Sequence, residues 1–267
     1  MKFKLIALSV ALLATGGAFA DTLSKVKASG VVTMGVRDSS GALSYTLGNG
    51  QYTGYHVEIC QRILANLEKA AERKLEVKYQ PVTSQNRIPL VQNGTVDIEC
   101  GSTTNNATRQ KDVTFVATTT GTTSVQTLRK NKRATGIEFK EVFGKDHSDS
   151  FLLLESGRAD AFVMDGSILA GNIATAKNPA DFKIVGEVLS VEPIAIMIRK
   201  DDPLLKRLAD DTVKSLIKTG EMNKLWTKWF LQPIPPKNTK VGLALSASTK
   251  AAWDNPNDNP MESYAQK

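Results

Sequence analysis

The sequence predicts an α/β protein built from two lobes, each a mostly parallel sheet flanked by helices. Short apolar runs of strand length alternate with amphipathic stretches of helix length, as in strand–helix–strand units. The same alternation returns in the second half of the chain. Removal of a 20-residue leader from 267 residues leaves 247, enough for two lobes of about 100 to 150 residues each.

Residues 1–20 have the pattern of a secretory signal peptide. A basic start with Lys2 and Lys4 precedes the apolar run Leu5 to Leu13, and Ala18-Phe19-Ala20 supplies an Ala-x-Ala cleavage site. The apolar run is shorter than the roughly 20 residues that a membrane-spanning helix needs. We therefore expect cleavage after Ala20 and export of the mature chain.

The elements of the first half follow from the spacing of apolar residues. From Tyr55 to Arg73 they recur every three or four positions, which predicts a helix with one buried stripe. Val31 to Val36 before it and Leu75 to Tyr79 after it have strand length, and a right-handed crossover makes such strands parallel. Further along, the patterns predict a short helix, a strand, a helical turn and a strand at Asn86 to Gln92, Thr95 to Cys100, Thr108 to Lys111 and Val113 to Ala117.

The second half repeats the alternation of extended and helical segments. Extended segments are predicted at Ile137 to Phe143, Ala159 to Met164, Phe182 to Val188 and Ile194 to Arg199. Helices are predicted at Ser124 to Lys130, His147 to Glu155, Ser167 to Ala176, Leu204 to Lys218, Glu221 to Phe230 and Ser246 to Trp253.

Charge and cysteine content narrow the possible functions. The net charge of +7 falls to +5 when Lys2 and Lys4 leave with the leader, and the basic residues form no run interleaved with aromatics, which argues against nucleic-acid binding. Cys60 and Cys100 are the only cysteines. An even pair in an exported chain favours a disulfide, and two buried thiols are the alternative.

Residues Pro81 to Lys111 place an arginine and short hydroxyl side chains at two junctions between loops and helices. Arg87 offers a planar fork of donors that can hold a carboxylate through two parallel hydrogen bonds. Ser84, Ser102 and Thr104 lie where N–H groups at helix starts would also point toward an anion. Each residue alone could be a helix cap or a surface residue, but together they predict a carboxylate site.

Three further candidates lie at predicted strand ends or helix starts. Arg37 and Asp165 each follow a strand, where ligands bind in open α/β sheets, and His147 begins a helix. The alternatives are a solvated loop arginine, a helix N-cap at Asp165 and a histidine without a ligand. His56 is expected to be polar surface. The sequence contains no nucleophile elbow, phosphate loop or metal-ligand motif, so binding is favoured over catalysis, and no metal is expected.

The chain closely resembles the periplasmic glutamate/aspartate-binding proteins of ABC importers, within the polar amino acid family of extracellular solute-binding proteins. The resemblance extends from about Leu23 to Pro256. Its most specific matches are TSQNRIPLVQNGT at Thr83 to Thr95, ECGSTTNN at Glu99 to Asn106 and KDHSDSF at Lys145 to Phe151. Further matches are LESGRADAFVMD at Leu154 to Asp165, RKDDP at Arg199 to Pro203 and PIPPKN at Pro233 to Asn238.

The resemblance implies two lobes joined by two crossing strands that close on one amino acid in the cleft between them. The first lobe would comprise residues 21–117 and 194–267, and the second lobe residues 118–193. The ligand's α-carboxylate would be held by Arg87, Ser102 and Thr104, with Thr122 or Thr123 helping from the second lobe. Its ammonium would pair with Asp165, and its side-chain carboxylate would be selected by Arg37, Ser84 and His147.

Charge counting favours the same ligand independently of the family. Glutamate and aspartate each carry a net charge of −1, whereas Arg37, Arg87 and Asp165 sum to +1 when His147 is neutral. A buried ion must be paired or it costs several kcal/mol. A neutral amino acid would leave one arginine unmatched.

The chain departs from the family between Thr120 and Gly121. Family members normally carry a further segment there, with the first crossing strand, a basic turn and the opening strand of the second lobe. The leading hypothesis is a monomeric periplasmic receptor, without a cofactor, that delivers L-glutamate or L-aspartate to an inner-membrane ABC permease. The alternatives are a shortened paralogue that cannot close and a dehydratase-type enzyme, for which only His147 could act as general acid or base.

Overall fold

The computed structural model describes residues 21–122, 136–186 and 192–264. The leader, Thr123, the predicted helix Ser124 to Lys130 and the last two residues of the strand predicted up to Val188 lie outside these ranges. The helices are α1 Thr22–Ser29, α2 Tyr55–Ala71, α3 Arg87–Gln92, α4 His147–Glu155, α5 Gly166–Thr175, α6 Pro203–Lys218, α7 Glu221–Trp226 and α8 Ala247–Asp254. Short 3-10 turns occur at Arg109–Lys111, Pro179–Asp181 and Met261–Tyr264, and a π-helical turn at Thr227–Leu231 continues α7.

A five-stranded mixed sheet forms the centre of the larger lobe. The strands of the chain are β1 Val31–Val36, β2 Ser39–Ser40, β3 Ser44–Gly48, β4 Gln51–Thr53, β5 Glu76–Pro81, β6 Ile98–Glu99, β7 Val113–Phe115, β8 Thr120–Thr122, β9 Glu192–Ile194, β10 Met197–Arg199, β11 Pro233–Ile234 and β12 Thr239–Lys240. The central sheet has the order β5-β1-β6-β10-β7. As predicted, β1 is parallel to β5, and it is also parallel to β6, whereas β10 is antiparallel to both of its neighbours.

Helix α2 covers this sheet with the stripe that the sequence predicts. Val57, Ile63 and Leu67 are almost fully buried, and α2 packs against α6. Gly54 precedes the helix at φ 134°, and a Cβ atom there would lie 2.5 Å from the Leu43 carbonyl oxygen. Only glycine fits this close approach without strain, because it has no Cβ and tolerates positive φ.

The predicted disulfide between Cys60 and Cys100 is present, with the two Cα atoms 6.3 Å apart. Cys60 lies on the buried face of α2, and Cys100 immediately follows β6. The disulfide therefore links helix α2 to the end of β6, and Ser102 and Thr104 follow directly after this point in the chain.

Two short antiparallel strands link the larger lobe to the smaller one. β8 pairs with β9, and Gly121 lies opposite Pro193. The Thr120-Gly121 junction, where the sequence analysis expects a segment to be missing, thus falls inside a formed strand pair. We call residues 21–117 and 196–264 the sheet lobe and residues 136–186 the helical lobe.

The helical lobe differs from the sequence prediction. α4 has the predicted bounds and α5 nearly so, but none of the residues 136–186 belongs to a strand, so the strands predicted at 137–143 and 159–164 and the described part of 182–188 are wrong. Ile137, Phe143 and Val185 are 63%, 68% and 75% exposed. A strand needs a hydrogen-bonded neighbour, and none of the strand pairs within the described ranges includes these stretches.

The two lobes touch beside the linking strands. The Ser148 amide donates to Ser39 Oγ at 3.3 Å, and the Lys237 ammonium donates to the Thr175 carbonyl at 3.3 Å. None of the helices in the described ranges is long and apolar enough to cross a membrane.

Candidate ligand-binding site

A cavity of about 210 Å³ lies between the two lobes and is lined by side chains from both. Six of the nine candidate residues line it, namely Ser84, Arg87, Ser102, Thr104, His147 and Asp165. The other lining residues are Asn106, Arg109, Met164, Glu192 and Met261. The volume suits a small metabolite, because drug-sized ligands usually occupy pockets of about 300 to 1,000 Å³.

Arg87 is the first residue of α3, and its guanidinium is buried in the cavity wall. Neither Nε nor Nη1 of Arg87 has a hydrogen-bond partner among the described residues. Burial lowers the pKa of Arg87 to about 9, an effect that Glu99 opposes and the neighbouring Arg37 and Arg109 reinforce. A carboxylate that accepted from this guanidinium would satisfy one of these donors and neutralise the buried charge.

Arg37 lies behind the cavity and contacts it through Ser102. Its side chain is 2% exposed, and Nη1 lies 3.4 Å from Ser102 Oγ. The Arg37 amide donates to Ser44 Oγ at 3.0 Å, which fixes the chain just after β1. Burial lowers the pKa of Arg37, while Glu99, Asp146 and Asp38 oppose the shift. The solvated-loop alternative for Arg37 is therefore wrong.

Ser40 connects the two lobes through hydroxyl and imidazole groups. Its Oγ lies 3.0 Å from Ser102 Oγ and 3.2 Å from His147 Nδ1. His147 begins α4 of the helical lobe and is 8% exposed. Burial lowers the pKa of His147 to about 3, and Arg37 and Arg87 contribute by repelling a second cation. His147 is therefore neutral at pH 7, as the charge count assumed.

Thr104 joins two charged residues that the sequence analysis did not select. Its Oγ1 donates to Glu192 Oε2 at 2.8 Å, and its carbonyl accepts from Arg109 Nη1 at 2.8 Å. Glu192 belongs to the linking strand β9 and is 1% exposed. Burial lowers the pKa of Arg109, and Glu192, Glu99 and Asp165 oppose the shift. Thr104 is thus held through both its side chain and its backbone carbonyl.

Glu99 lies beneath the arginines and is fully buried at the end of β6. Its Oε2 accepts from Thr103 Oγ1 at 2.8 Å, whereas Oε1 has no hydrogen-bond partner in the described part of the chain. The negative charge of Glu99 opposes the lowering of the pKa of both Arg37 and Arg87 that burial causes. It therefore compensates part of the cationic charge of the two arginines.

The charge count from the sequence was incomplete. Among the described residues, Arg37, Arg87 and Arg109 together with the carboxylates Glu99, Asp165 and Glu192 sum to zero with His147 neutral, and Asp38 and Asp146 add negative charge near Arg37. Net charge alone consequently does not select an acidic ligand. The selective feature is local, because Glu192 and Glu99 accept from Thr104 and Thr103 whereas Arg87 keeps two unpaired donors.

The remaining candidates have mixed outcomes. Asp165 occupies the N-cap position of α5, as the alternative expected, but its side chain makes no capping hydrogen bond; it is 3% exposed and lines the cavity. Ser84 lies in the turn before α3 and lines the cavity from the exposed side. Thr122 is in β8 opposite Glu192. Thr123 lies outside the described residues.

His56 is not polar surface, as the sequence analysis expected. It is fully buried, with Nδ1 2.5 Å from the Gly101 carbonyl and Nε2 2.6 Å from Thr119 Oγ1. A carbonyl only accepts, so Nδ1 carries the proton in the neutral ring. Burial lowers the pKa of His56 to about 4. His56 thus fixes the residue directly before Ser102.

The sequence contained a signal for His56 but little for the charged residues. His56, Cys60, Ile63 and Leu67 follow one another at intervals of four, three and four, which is the buried stripe of α2. Glu99 is a single acidic residue between Ile98 and Cys100 in a short strand, and Arg109, Glu192 and Met261 enter the site only through tertiary packing. No group of three or more possible metal-ligating side chains occurs in the described ranges.

Comparison with characterised proteins gives close relatives along most of the chain. It is 41% identical to the "Glutamate/aspartate import solute-binding protein" of Escherichia coli, covering 90% of this chain and 89% of the relative. It is 39% identical to the "L-glutamate/L-aspartate-binding protein" of Pseudomonas aeruginosa, covering 90% of each chain.

The E. coli match also bears on the length of the chain. It runs over 270 aligned positions, whereas 90% of this chain is about 240 residues, so about 30 aligned positions of the relative have no counterpart here. This difference agrees with the shortening that the resemblance implies.

Solved structures share the fold at lower identity. A mutant of ArgBP from T. maritima matches with a TM-score of 0.66 at 24% identity, covering 78% of this chain and 98% of that chain. An ABC transporter/periplasmic binding protein from Brucella ovis with glutathione bound matches with a TM-score of 0.68 at 23% identity, covering 76% of this chain and 73% of that chain. These matches confirm the predicted two-lobe α/β fold.

The family assignment rests on most of the chain rather than on the cavity alone. Residues 32–232, about three quarters of the sequence, match one solute-binding family, and close relatives of the same kind cover nine tenths of it. This agrees with the prediction of a binding protein rather than an enzyme. The chain belongs to the bacterial extracellular solute-binding proteins, family 3.

Proposed function

We propose that this protein is a periplasmic receptor that binds L-glutamate or L-aspartate between its lobes and delivers it to an inner-membrane ABC permease. The relatives of about 40% identity are a glutamate/aspartate import protein and an L-glutamate/L-aspartate-binding protein, which supports this ligand class. The leader would direct export and be removed after Ala20. The lobe boundaries would lie near residues 118 and 193, where β8 and β9 pair.

The observation that carries the proposal is the pair of unpaired donors on buried Arg87. An unsatisfied buried donor costs about 1 to 3 kcal/mol, and more when it is charged. A planar carboxylate can accept from two neighbouring guanidinium nitrogens at once, one of the two unpaired nitrogens together with Nη2. A ligand carboxylate next to Ser102 and Thr104 would therefore remove part of this cost.

The second part of the ligand would be recognised by the helical lobe. Asp165 offers a buried carboxylate for an ammonium group, and neutral His147 offers a hydrogen bond toward a second carboxylate near Arg37 and Ser84. These groups reach the ligand only when the lobes are close together. The ligand can favour closure by no more than the free energy of its contacts with Asp165 and His147.

A cleft that has already closed around Arg87 must open before a ligand enters. In the structure, Ser40 contacts His147, and Ser39 contacts Ser148. Separation of these pairs by rotation about β8 and β9 would open the cavity, which is the hinge motion expected of two lobes joined by short strands.

Isothermal titration calorimetry with L-glutamate, L-aspartate, L-glutamine and L-histidine tests the proposal. We expect the two acidic amino acids to bind with dissociation constants near 1 μM, about −8 kcal/mol, and the other two at least about 100-fold more weakly. A heat signal for glutamine equal to that for glutamate would rule out the acidic-ligand assignment.

A shortened paralogue that cannot close is the second candidate, and the roughly 30 unmatched positions of the E. coli relative favour it. Thermal melting distinguishes a working receptor from a shortened paralogue that cannot close. A working receptor gains RT ln(1 + [L]/Kd), about 2.7 kcal/mol at a ligand concentration 100 times Kd, and its midpoint rises by several degrees. An unchanged midpoint at 10 mM glutamate would favour the shortened paralogue.

A further inference from the structure

We infer that residues 255–264, here called the C-terminal tail, contribute Met261 to the wall of the binding cavity, and that Met261 is a specificity-determining residue at the α-carboxylate end of the ligand. The inference rests on the proposed function, because it assumes an amino acid in the cavity. The family match ends at residue 232, so this tail lies outside the matched residues.

Hydrogen bonds from the backbone of the C-terminal tail and from one of its side chains fix the tail to the sheet lobe. The Asp258 carbonyl accepts from Asn105 Nδ2 at 2.8 Å and from Gln110 Nε2 at 2.9 Å. The Met261 amide donates to the Asn105 carbonyl at 2.9 Å, and Glu262 Oε2 accepts from the Ala107 amide at 3.0 Å. These contacts place the tail against the loop that follows Thr104.

Asn105 couples the tail to the ligand-facing strand. Asn105 is fully buried, and its backbone N–H donates to the Pro193 carbonyl of β9 at 2.8 Å. Thr104 precedes it in the chain and bonds to Glu192 of the same strand. One buried asparagine thus joins the linking strand, the C-terminal tail and the residue proposed to hold the α-carboxylate.

Met261 occupies a polar part of the cavity with an apolar side chain. It lines the cavity together with Thr104, Asn106, Arg109 and Glu192. A thioether neither pairs with Arg109 nor competes for the ligand carboxylate, but it fills space and removes water from the charged groups around it. We therefore expect Met261 to favour a free α-carboxylate and to block a ligand that continues as a peptide.

A pair of isosteric variants tests the position of Met261. An added anion beside Thr104 repels the ligand α-carboxylate through a partly buried medium. Met261→Glu should therefore bind L-glutamate at least tenfold more weakly than Met261→Gln, a difference of about 1.4 kcal/mol. Ser263→Glu adds the same charge to the same helical turn at an exposed position outside the cavity lining, and it should bind within about twofold of the parent.

The outcomes separate this inference from the proposed function. If the parent binds none of the amino acids tested, the proposed function fails first. If the parent binds glutamate and Met261→Glu binds it as tightly as Met261→Gln does, the position assigned to Met261 is wrong. Thermal melting of each variant shows that the compared proteins are folded.

A smaller residue tests the size restriction even if Met261→Glu does not fold. L-Glutamyl-glycine extends the α-carboxylate end by one residue. The parent and Ser263→Ala should give no binding heat with this dipeptide, and Met261→Ala should give a measurable one. If folded Met261→Ala binds glutamate but still gives no heat with the dipeptide, Met261 does not restrict ligand length.

Discussion

The Cα atom of Gly41 lies 2.6 Å from the position that a Cβ atom on Gly171 would occupy. Gly41 belongs to the sheet lobe and Gly171 to α5, so backbone meets backbone where the lobes touch. Gly171→Ala should hold the lobes apart and weaken glutamate binding at least about tenfold without touching the ligand. Gly166→Ala in the same helix is the control, because a Cβ there meets nothing within 4 Å. Calorimetry on the two variants checks the prediction, and equal affinities would contradict it.

Arg87→Ala should weaken glutamate binding at least about 100-fold, because the carboxylate loses a bidentate, charge-assisted contact in a desolvated site. Arg87→Lys should restore little, since an ammonium lacks the planar fork. Arg62→Ala provides the charge-matched control on the exposed face of α2. Titration calorimetry measures all three, and parental affinity in Arg87→Ala would contradict the assigned role of this arginine.

Glu99→Gln should have opposite effects on stability and on affinity. Without a ligand, Arg37 and Arg87 lose the anion that compensates them, so the melting midpoint should fall. The same change removes a competitor for the two arginines, so glutamate should bind several-fold more tightly. Melting curves and calorimetry on one protein sample measure both effects. A variant that is both less stable and weaker in binding would show that Glu99 mainly positions the arginines.

His147 should make the protein sensitive to acid. Its pKa is about 3 in the folded chain, against an ordinary value of 6.5, because of burial and the nearby Arg37 and Arg87. Between these two pH values the unfolded chain binds a proton that the folded chain does not. Stability is therefore complete above pH 6.5 and falls as the pH is lowered toward 3.

The variant His147→Gln isolates this effect. Its stability should fall less steeply than that of the parent, by up to about 1.4 kcal/mol per pH unit between pH 6 and 4. His56, with a pKa of about 4, stays in both proteins and supplies the shared remainder. Urea unfolding at pH 7.5, 5.5 and 4.5 gives the slopes, and parallel slopes for the two proteins would refute the prediction.

Loss of the Cys60–Cys100 disulfide should destabilise the fold. The two cysteines are 40 residues apart, and the chain-entropy relation gives about 4 kcal/mol for a loop of that length. The double variant Cys60→Ala/Cys100→Ala should show this loss in urea unfolding. The parent treated with a reductant should move toward the variant, whereas the variant should not respond to it.

The best-predicted parts of the fold are those whose patterns are local. The stripe of α2 and the apolar strands β1 and β5 are visible within single segments, and the helix at His147–Glu155 has the predicted bounds. The strands expected at 137–143 and 159–164 are apolar enough, but a strand exists only where another segment supplies hydrogen bonds. Whether such a neighbouring segment is present cannot be predicted from the residues of the strand itself.

The site shows the same division between local and distant information. Arg87, Ser102 and Thr104 stand close together in sequence and line one cavity, so their grouping could be predicted. Glu99 was missed because a buried acid beneath two arginines looks like any polar residue of a short strand. Arg109, Glu192 and Met261 come from three separate segments, and only the folded chain brings them beside Thr104.

The balance of three arginines and three carboxylates around the cavity also has a kinetic consequence. An amino acid approaching from farther than a Debye length, about 8 Å at physiological ionic strength, meets no net charge from these six groups. Electrostatic steering by the cleft itself should then be weak, and the association rate constant should change little between 20 and 500 mM salt. We expect discrimination between ligands after entry, in the dissociation rate constant. Only a ligand with correctly placed carboxylates can replace the electrostatic interactions among these groups with interactions of its own.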